Sequence, residues 1–161
     1  MPDSPAAVAA DCSFCSIVAG ERPAFTVLDD DVVVAFLDRR PLFHGHVLVV
    51  PRIHVVTITD LPSEAIGPYF ERVQRLAGAV QAGRGAAGTF VAMNNVVSQS
   101  VAHLHTHVVP RNFKDGLRGF FWPRTKYETD DEAEAVATSI RDALGAERIG
   151  RGTRPVRRGD P

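Results

Sequence analysis

Half of the six histidines fall in one seven-residue run, His103-Leu104-His105-Thr106-His107-Val108-Val109, closed by Pro110. The period of two and the β-branched Thr106, Val108 and Val109 predict a strand, and side chains two apart on a strand share a face. His103, His105 and His107 then form a row of imidazoles, with Leu104, Thr106 and Val108 facing the other way. One histidine on a strand is ordinarily a hydrogen-bonded structural residue. Three on one face are not, because a core-facing row favours aliphatic side chains and a solvent-facing row favours Thr, Lys or Glu. A single metal ion does not account for the row: at about 3.3 Å per residue, His103 and His107 stand roughly 13 Å apart, whereas two nitrogen ligands of one zinc are within about 4 Å of each other. The three rings must be divided among roles, and the chemistry left to them is acid–base or nucleophilic.

The flanking segments predict the frame that would carry such a strand. Ala24 to Leu28 and Val32 to Leu37 read as an antiparallel hairpin across Asp29, Asp30 and Asp31, and His46 to Val50 as a third strand stopped by Pro51. From Ser63 to Gln81, the apolar Ile66, Phe70, Val73, Leu76, Ala77 and Val80 recur at helical spacing, with the regular helix expected to begin at Pro68. After three glycines, Thr89 to Met93 reads as a fourth strand and the histidine run as a fifth. Asp130 to Leu144 reads as a last helix, acidic at its start and ended by Gly145. Connections this short leave no room for repeated parallel crossovers. The expected fold is therefore α+β, a mostly antiparallel five-stranded sheet with two main helices. At 161 residues one domain is expected, spanning 12–145, between a frayed N-terminus at 1–11 and an Arg/Gly-rich flexible tail at 146–161.

Charge narrows the function. The net charge is −1, but Arg148, Arg151, Arg154, Arg157 and Arg158 against Glu147 and Asp160 give the last fifteen residues +3, so the rest carries −4. That excludes a globally basic nucleic-acid binder, and any phosphate chemistry must use a local site. Neither G-x-G-x-x-G nor G-x-x-x-x-G-K-[ST] occurs, which excludes a dinucleotide fold and a P-loop. No apolar run approaches the roughly 18 residues of a membrane span, and no secretory leader is evident, so a cytoplasmic protein without membrane contact is expected. The loop that delivers the histidine run holds Asn94, Asn95, Ser98, Gln99 and Ser100, and residues 72–114 contain no acidic side chain. Such a loop suits an anion. Cys12 and Cys15 form a C-x-x-C, readable as half of a zinc site, a redox pair or two ordinary thiols; the βαβ context of a redox pair is missing.

The histidine run resembles the His-x-His-x-His-x-x signature of the histidine triad superfamily of nucleotide hydrolases and transferases. Ala35-Phe36-Leu37-Asp38, Gly45-His46-Val47-Leu48-Val49-Val50-Pro51-Arg52, Gln99-Ser100-Val101 and Pro110-Arg111 follow that family's pattern in its order, so the resemblance covers roughly residues 12–111. Phe121-Trp122-Pro123 and the acidic start of the last helix are similar to the C-terminal extension of the fragile-histidine-triad branch. The stretch from Met93 to His103 is shorter than in that branch and lacks its glycine-rich turn.

The resemblance implies the histidine triad fold, a homodimer and a purine nucleotide substrate. His105 would be the nucleophile, attacking the α-phosphate to give a nucleotidyl-histidine that water hydrolyses. His107 and His46 would orient around it, Ser100 and Gln99 would contact phosphate or the leaving group, Asp38 would hold the ribose hydroxyls, and Asn94 would reach the phosphate region. No Mg²⁺ is required on this reading. A structural zinc would be held by Cys12, Cys15, His54 of Pro51-Arg52-Ile53-His54, and His103. The expected substrate is a nucleoside phosphoramidate or a dinucleoside polyphosphate. The rival readings are a nucleotide-binding regulatory module with incidental catalysis and a redox protein built on the two cysteines.

Overall fold

The computed structural model describes residues 11–117 and 126–151, with side chains described as far as Ile140 in the last helix. Phe121-Trp122-Pro123, and residues 1–10 and 152–161 of the ends expected to fray at 1–11 and 146–161, lie outside the described residues. The chain divides into two compact units, residues 1–116 and residues 117–161.

The first unit runs α1 (Ser13–Val18), β1 (Thr26–Asp29), β2 (Val33–Leu37), β3 (Val47–Pro51), one 3₁₀ turn (Ile58–Asp60), α2 (Ser63–Arg84), β4 (Gly88–Ala92) and β5 (Thr106–Arg111). The five strands form one sheet in the order β1-β2-β3-β5-β4, every neighbouring pair antiparallel. In β2 and β3, alternate residues face opposite sides and both sides are covered, which is why these strands are apolar throughout. Val33, Ala35, Val47 and Val49 pack with Leu104, Val108 and the α2 residues Tyr69, Val73, Leu76 and Val80. Val34, Phe36, Leu48 and Val50 pack on the other side with Cys12 and Phe14.

Several elements depart from the sequence expectation. Helix α2 begins at Ser63 and passes through Pro68 unbroken. Proline there removes only the bond to the Glu64 carbonyl, and the preceding residue, Gly67, has no Cβ to collide with the ring. The helix ends at Gly85, whose φ of 59° is the left-handed cap that lets its own N–H reach the Ala82 carbonyl and the following Ala86 N–H reach the Gln81 carbonyl. Its buried stripe is turned from the expected one: Tyr69 is buried, while Phe70 and Ile66 are exposed. Tyr69 can be buried because its hydroxyl meets the Val49 carbonyl at 2.9 Å and Thr106 Oγ1 at 2.8 Å.

Strand β5 starts at Thr106, not His103, and runs past Pro110 to Arg111. The β3–β5 pairing stops at Val49 and Thr106 although β3 itself runs on to Pro51, and Leu104 N–H reaches instead the Val55 carbonyl at 2.7 Å, in a segment that has left the sheet. Pro110 lies beyond Val108, the last β5 residue paired with β3, so its missing N–H breaks no bond there. Helix α1 carries no sequence expectation; six residues are too few to show a period.

The second unit contains α3 (Asp130–Arg151). Thr129 Oγ1 accepts from Glu132 N–H, and the Glu132 carboxylate accepts from Glu128 N–H, tying down its start. The expected stop at Leu144 does not occur. A lone glycine costs a helix only about 1 kcal/mol relative to alanine, and Ala146, Glu147 and Arg148 resume good helix formers.

Candidate active site and metal clasp

His105 is buried, and its Nδ1 lies 2.7 Å from the His103 carbonyl oxygen. A carbonyl only accepts, so Nδ1 carries the proton and the Nε2 lone pair is left free. The His107 ring stands 5.0 Å from that of His105, and the Phe14 ring 5.2 Å away at 84° to it. The expectation that the histidines and Leu104, Thr106 and Val108 face opposite ways is met. Leu104 and Val108 enter the α2 side of the core and Thr106 bonds Tyr69 there. Only His107 of the three lies within the ladder itself, paired with Leu48 on one side and Ala92 on the other.

A second histidine chain sits behind His107. Leu42 N–H donates to His46 Nδ1 at 3.2 Å, so the His46 proton is on Nε2, which lies 3.0 Å from His107 Nδ1. His107 therefore accepts at Nδ1 and keeps its own proton on Nε2. Burial first, and then neighbouring His105 and His46, hold the His107 imidazole down to about 4. Burial also lowers His46, outweighing the Asp38 carboxylate 3.6 Å from its Nδ1. Both rings are uncharged at neutral pH.

These groups open on a cavity of about 500 Å³, within the range of small-molecule sites. Of the residues expected from sequence, Asp38, Ser100, His105 and His107 line it. Asp38 is aimed by the Arg40 N–H, 2.8 Å from its Oδ1. His46 sits behind His107 and does not itself line the cavity. Asn94 and Gln99 do not line the cavity. Asn94 is exposed and its Nδ2 donates to the Ser98 carbonyl at 3.3 Å. Gln99 is spent on the loop: its Nε2 donates to the Val56 carbonyl at 2.6 Å and its Oε1 accepts from Val96 N–H at 2.9 Å. That brace holds a turn in which Val96 and Ser98 take φ of 67° and 61°, values costly for a β-branched residue.

The sequence reading missed the walls. Phe14 and Ile17 from α1, Phe25, Phe36, Leu37 and Leu48 supply apolar surface, and Arg22, Arg39 and Arg40 supply positive charge against the single carboxylate of Asp38. Arg39-Arg40 directly after Asp38 was the one available signal. The α1 residues carried none.

On the other side of α1, Cys12, Cys15, His54 and His103 converge, their ligand atoms all within 4.8 Å of one another. His103 Nδ1 is 3.5 Å from each sulfur, and His54 Nδ1 is 3.1 Å from Cys15 Sγ. A tetrahedral ion about 2.3 Å from sulfur and 2.1 Å from nitrogen sets such pairs about 3.6 Å apart, so the donor set fits one. His103 Nε2 donates to the Pro51 carbonyl at 2.9 Å, which turns the Nδ1 lone pair toward the sulfurs as a second-layer contact to a metal does. Among the described residues, His54 Nε2 is buried without a hydrogen-bond partner. Without a cation, burial and the Cys12 sulfur push the Cys15 thiol up to about 11. Among the described residues Asp38, His46 and His107 also lie close together, but His46 and His107 share a hydrogen bond and their lone pairs do not converge.

Among the described residues no helix is long and apolar enough to cross a membrane. Residues 19–114 match the profile of the HIT domain family. The chain is 30% identical over 141 residues to adenylylsulfatase HINT3 of Arabidopsis thaliana, covering 83% of this chain and 70% of that one. It is 32% identical over 131 residues to adenosine 5'-monophosphoramidase HNT1 of Saccharomyces cerevisiae, covering 79% of each. A Zn-bound histidine triad family protein from Mycobacterium smegmatis superposes with a TM-score of 0.64 at 33% identity, covering 86% of this chain and 99% of that one.

Proposed function

Because this chain belongs to the histidine triad (HIT) family, in which some members are hydrolases of AMP-linked compounds, we propose that it hydrolyses a purine nucleoside phosphoramidate or a related α-phosphate derivative through a nucleotidyl-His105 intermediate. The observation that carries this reading is the fixed tautomer of His105: Nδ1–H donates to the His103 carbonyl, and the Nε2 lone pair is free beside the cavity. Nε2 attacks the α-phosphorus, the bond from phosphorus to the leaving amine breaks, and the His103 carbonyl stabilises the positive charge gained by the ring. Water then attacks phosphorus and the bond to Nε2 breaks. Overall the phosphorus–nitrogen bond is exchanged for a phosphorus–oxygen bond, and a proton of water goes to the amine.

His107 donates a hydrogen bond from Nε2 to the transferring group, held in that tautomer by His46. Ser100 supplies a further donor and Asp38 takes the ribose hydroxyls. Such chemistry is largely positioning and hydrogen bonding, and Mg²⁺ has no part in it. Zinc in the clasp of Cys12, Cys15, His54 and His103 is structural: it fastens α1 to the segment before β5 and leaves His105 free. The donor set and the Zn-bound relative support this assignment.

Turnover of adenosine phosphoramidate tests the reading, with diadenosine triphosphate as the alternative leaving group. His105→Ala is expected to lower turnover by about a hundredfold or more while AMP still binds, because the nucleophile belongs to the reaction path more than to ground-state binding. Substantial residual turnover in that variant removes His105 from its role.

A further inference from the structure

The metal clasp and the nucleotide cavity share a wall. In the helix α1 and its cap, Cys12 and Cys15 fall on one side, three residues apart, and Phe14 and Ile17 fall on another, also three apart. The cysteines meet His54 and His103, while Phe14 and Ile17, with Ser13, line the cavity. Phe14 is buried and its ring touches three others: Phe36 at 5.5 Å, His103 at 6.2 Å and His105 at 5.2 Å. A second route runs through the backbone, because His103 gives its ring to the clasp and its carbonyl oxygen to His105 Nδ1. Six residues do not hold a helix in water by themselves. What fixes α1 is its packing and whatever binds its two sulfurs.

We propose that metal and nucleotide bind this protein cooperatively, with α1 as the coupling element and Phe14 as a positioning residue that sets the orientation of the His105 ring. The inference rests on the nucleotide reading of the cavity. Metal in the clasp orders α1, and an ordered α1 presents Phe14 and Ile17 as a finished wall. Coupling of two binding equilibria is reciprocal, so a nucleotide in the cavity must tighten metal binding by the same factor, and because it does so by stabilising the helix that carries both sulfurs, the gain lies in slower metal release. His105 senses the clasp twice, through the Phe14 ring packed nearly perpendicular to its own and through the His103 carbonyl that fixes its tautomer.

The test uses the zinc-loaded full chain, with AMP as the probe and zinc release to a chelating dye as the readout. Saturating AMP is expected to slow release about fivefold or more. Phe14→Ala is expected to bring that effect below twofold while the protein still holds its zinc. Phe14→Leu, which keeps an apolar wall, is expected to lower kcat about three- to tenfold through loss of the aromatic pair, with KM within twofold. Replacing a residue that merely filled space would not divide kcat from KM in this way. AMP that binds by calorimetry yet leaves zinc release unchanged in the parent protein overturns the coupling and spares the nucleotide reading. AMP that does not bind overturns both. Equal slowing in Phe14→Ala and in the parent removes Phe14 as the positioning residue.

Discussion

At the scale of single residues, the site turns on where protons sit. Four imidazole nitrogens have their roles set by a neighbour that can only donate or only accept: the His103 carbonyl for His105, Leu42 N–H for His46, His46 for His107, and the Pro51 carbonyl for His103. Gln99 is a residue whose expected role and observed partners differ. Its composition suits phosphate, but both of its polar ends are occupied within the protein. Gln99→Ala is expected to speed hydrogen exchange at the Val96 amide by about tenfold or more, since that exposed N–H loses its acceptor and the turn around it is strained. An unchanged exchange rate would return the Gln99 side chain to the substrate.

At the scale of elements, two polar anchors decide how segments sit on the sheet. Tyr69 ties α2 to β3 and β5 from within the core. Tyr69→Phe leaves the shape intact but strands Thr106 Oγ1 in the interior, and is expected to cost about 1–3 kcal/mol in urea unfolding. A cost near zero would mean that Thr106 finds another partner. The clasp anchors α1. Cys12→Ser is expected to lower bound zinc and the melting temperature together, because a structural metal adds its binding free energy to folding. Full zinc content in that variant, by elemental analysis, would remove Cys12 from the ligand set. The continuous course of α2 through Pro68, and of α3 through Gly145, has a common cause. A single unfavourable residue is outvoted by the cooperative ladder around it.

At the scale of the whole molecule, the buried histidines make stability depend on pH. The folded chain holds His107 down to about 4, whereas in the unfolded chain it takes a proton near 6.5. Between those values the unfolded state binds the extra proton. The stability contributed by neutral His107 is complete above pH 6.5, declines as pH falls through the window, and changes no further below about 4. Urea midpoints are expected to fall across that window, and His107→Gln to flatten the fall by about 2–3 kcal/mol relative to the parent. Parallel curves for the two proteins would place the titration elsewhere. The loss from carboxylates comes lower. Asp30 is held at about 2, against the opposing effect of burial, by the N–H groups of Val33 and Val32 and by the Arg72 guanidinium.

The sequence by itself determined the antiparallel sheet, because β-branched runs read as strands and the connections between them are too short for repeated parallel crossovers. It determined the division of the histidine run into opposed faces because side chains two apart on a strand share a face. The C-x-x-C spacing kept Cys12 and Cys15 within about 10 Å of each other in any conformation, yet did not choose among zinc, redox and plain thiols. Only the tertiary structure brought His54 and His103 to the sulfurs, through contacts 39 to 91 residues apart in sequence. It also turned α2 so that Tyr69, not Phe70, faces inward, a choice that depends on a hydroxyl partner two strands away. The differing surroundings within the row arose the same way. His103, His105 and His107 are alike in local sequence, and what separates them is the company of Cys12 and Cys15, of Phe14, and of His46. Periodicity is a property of neighbours along the chain, whereas a proton's position on a ring is fixed by whichever distant group folding sets against it.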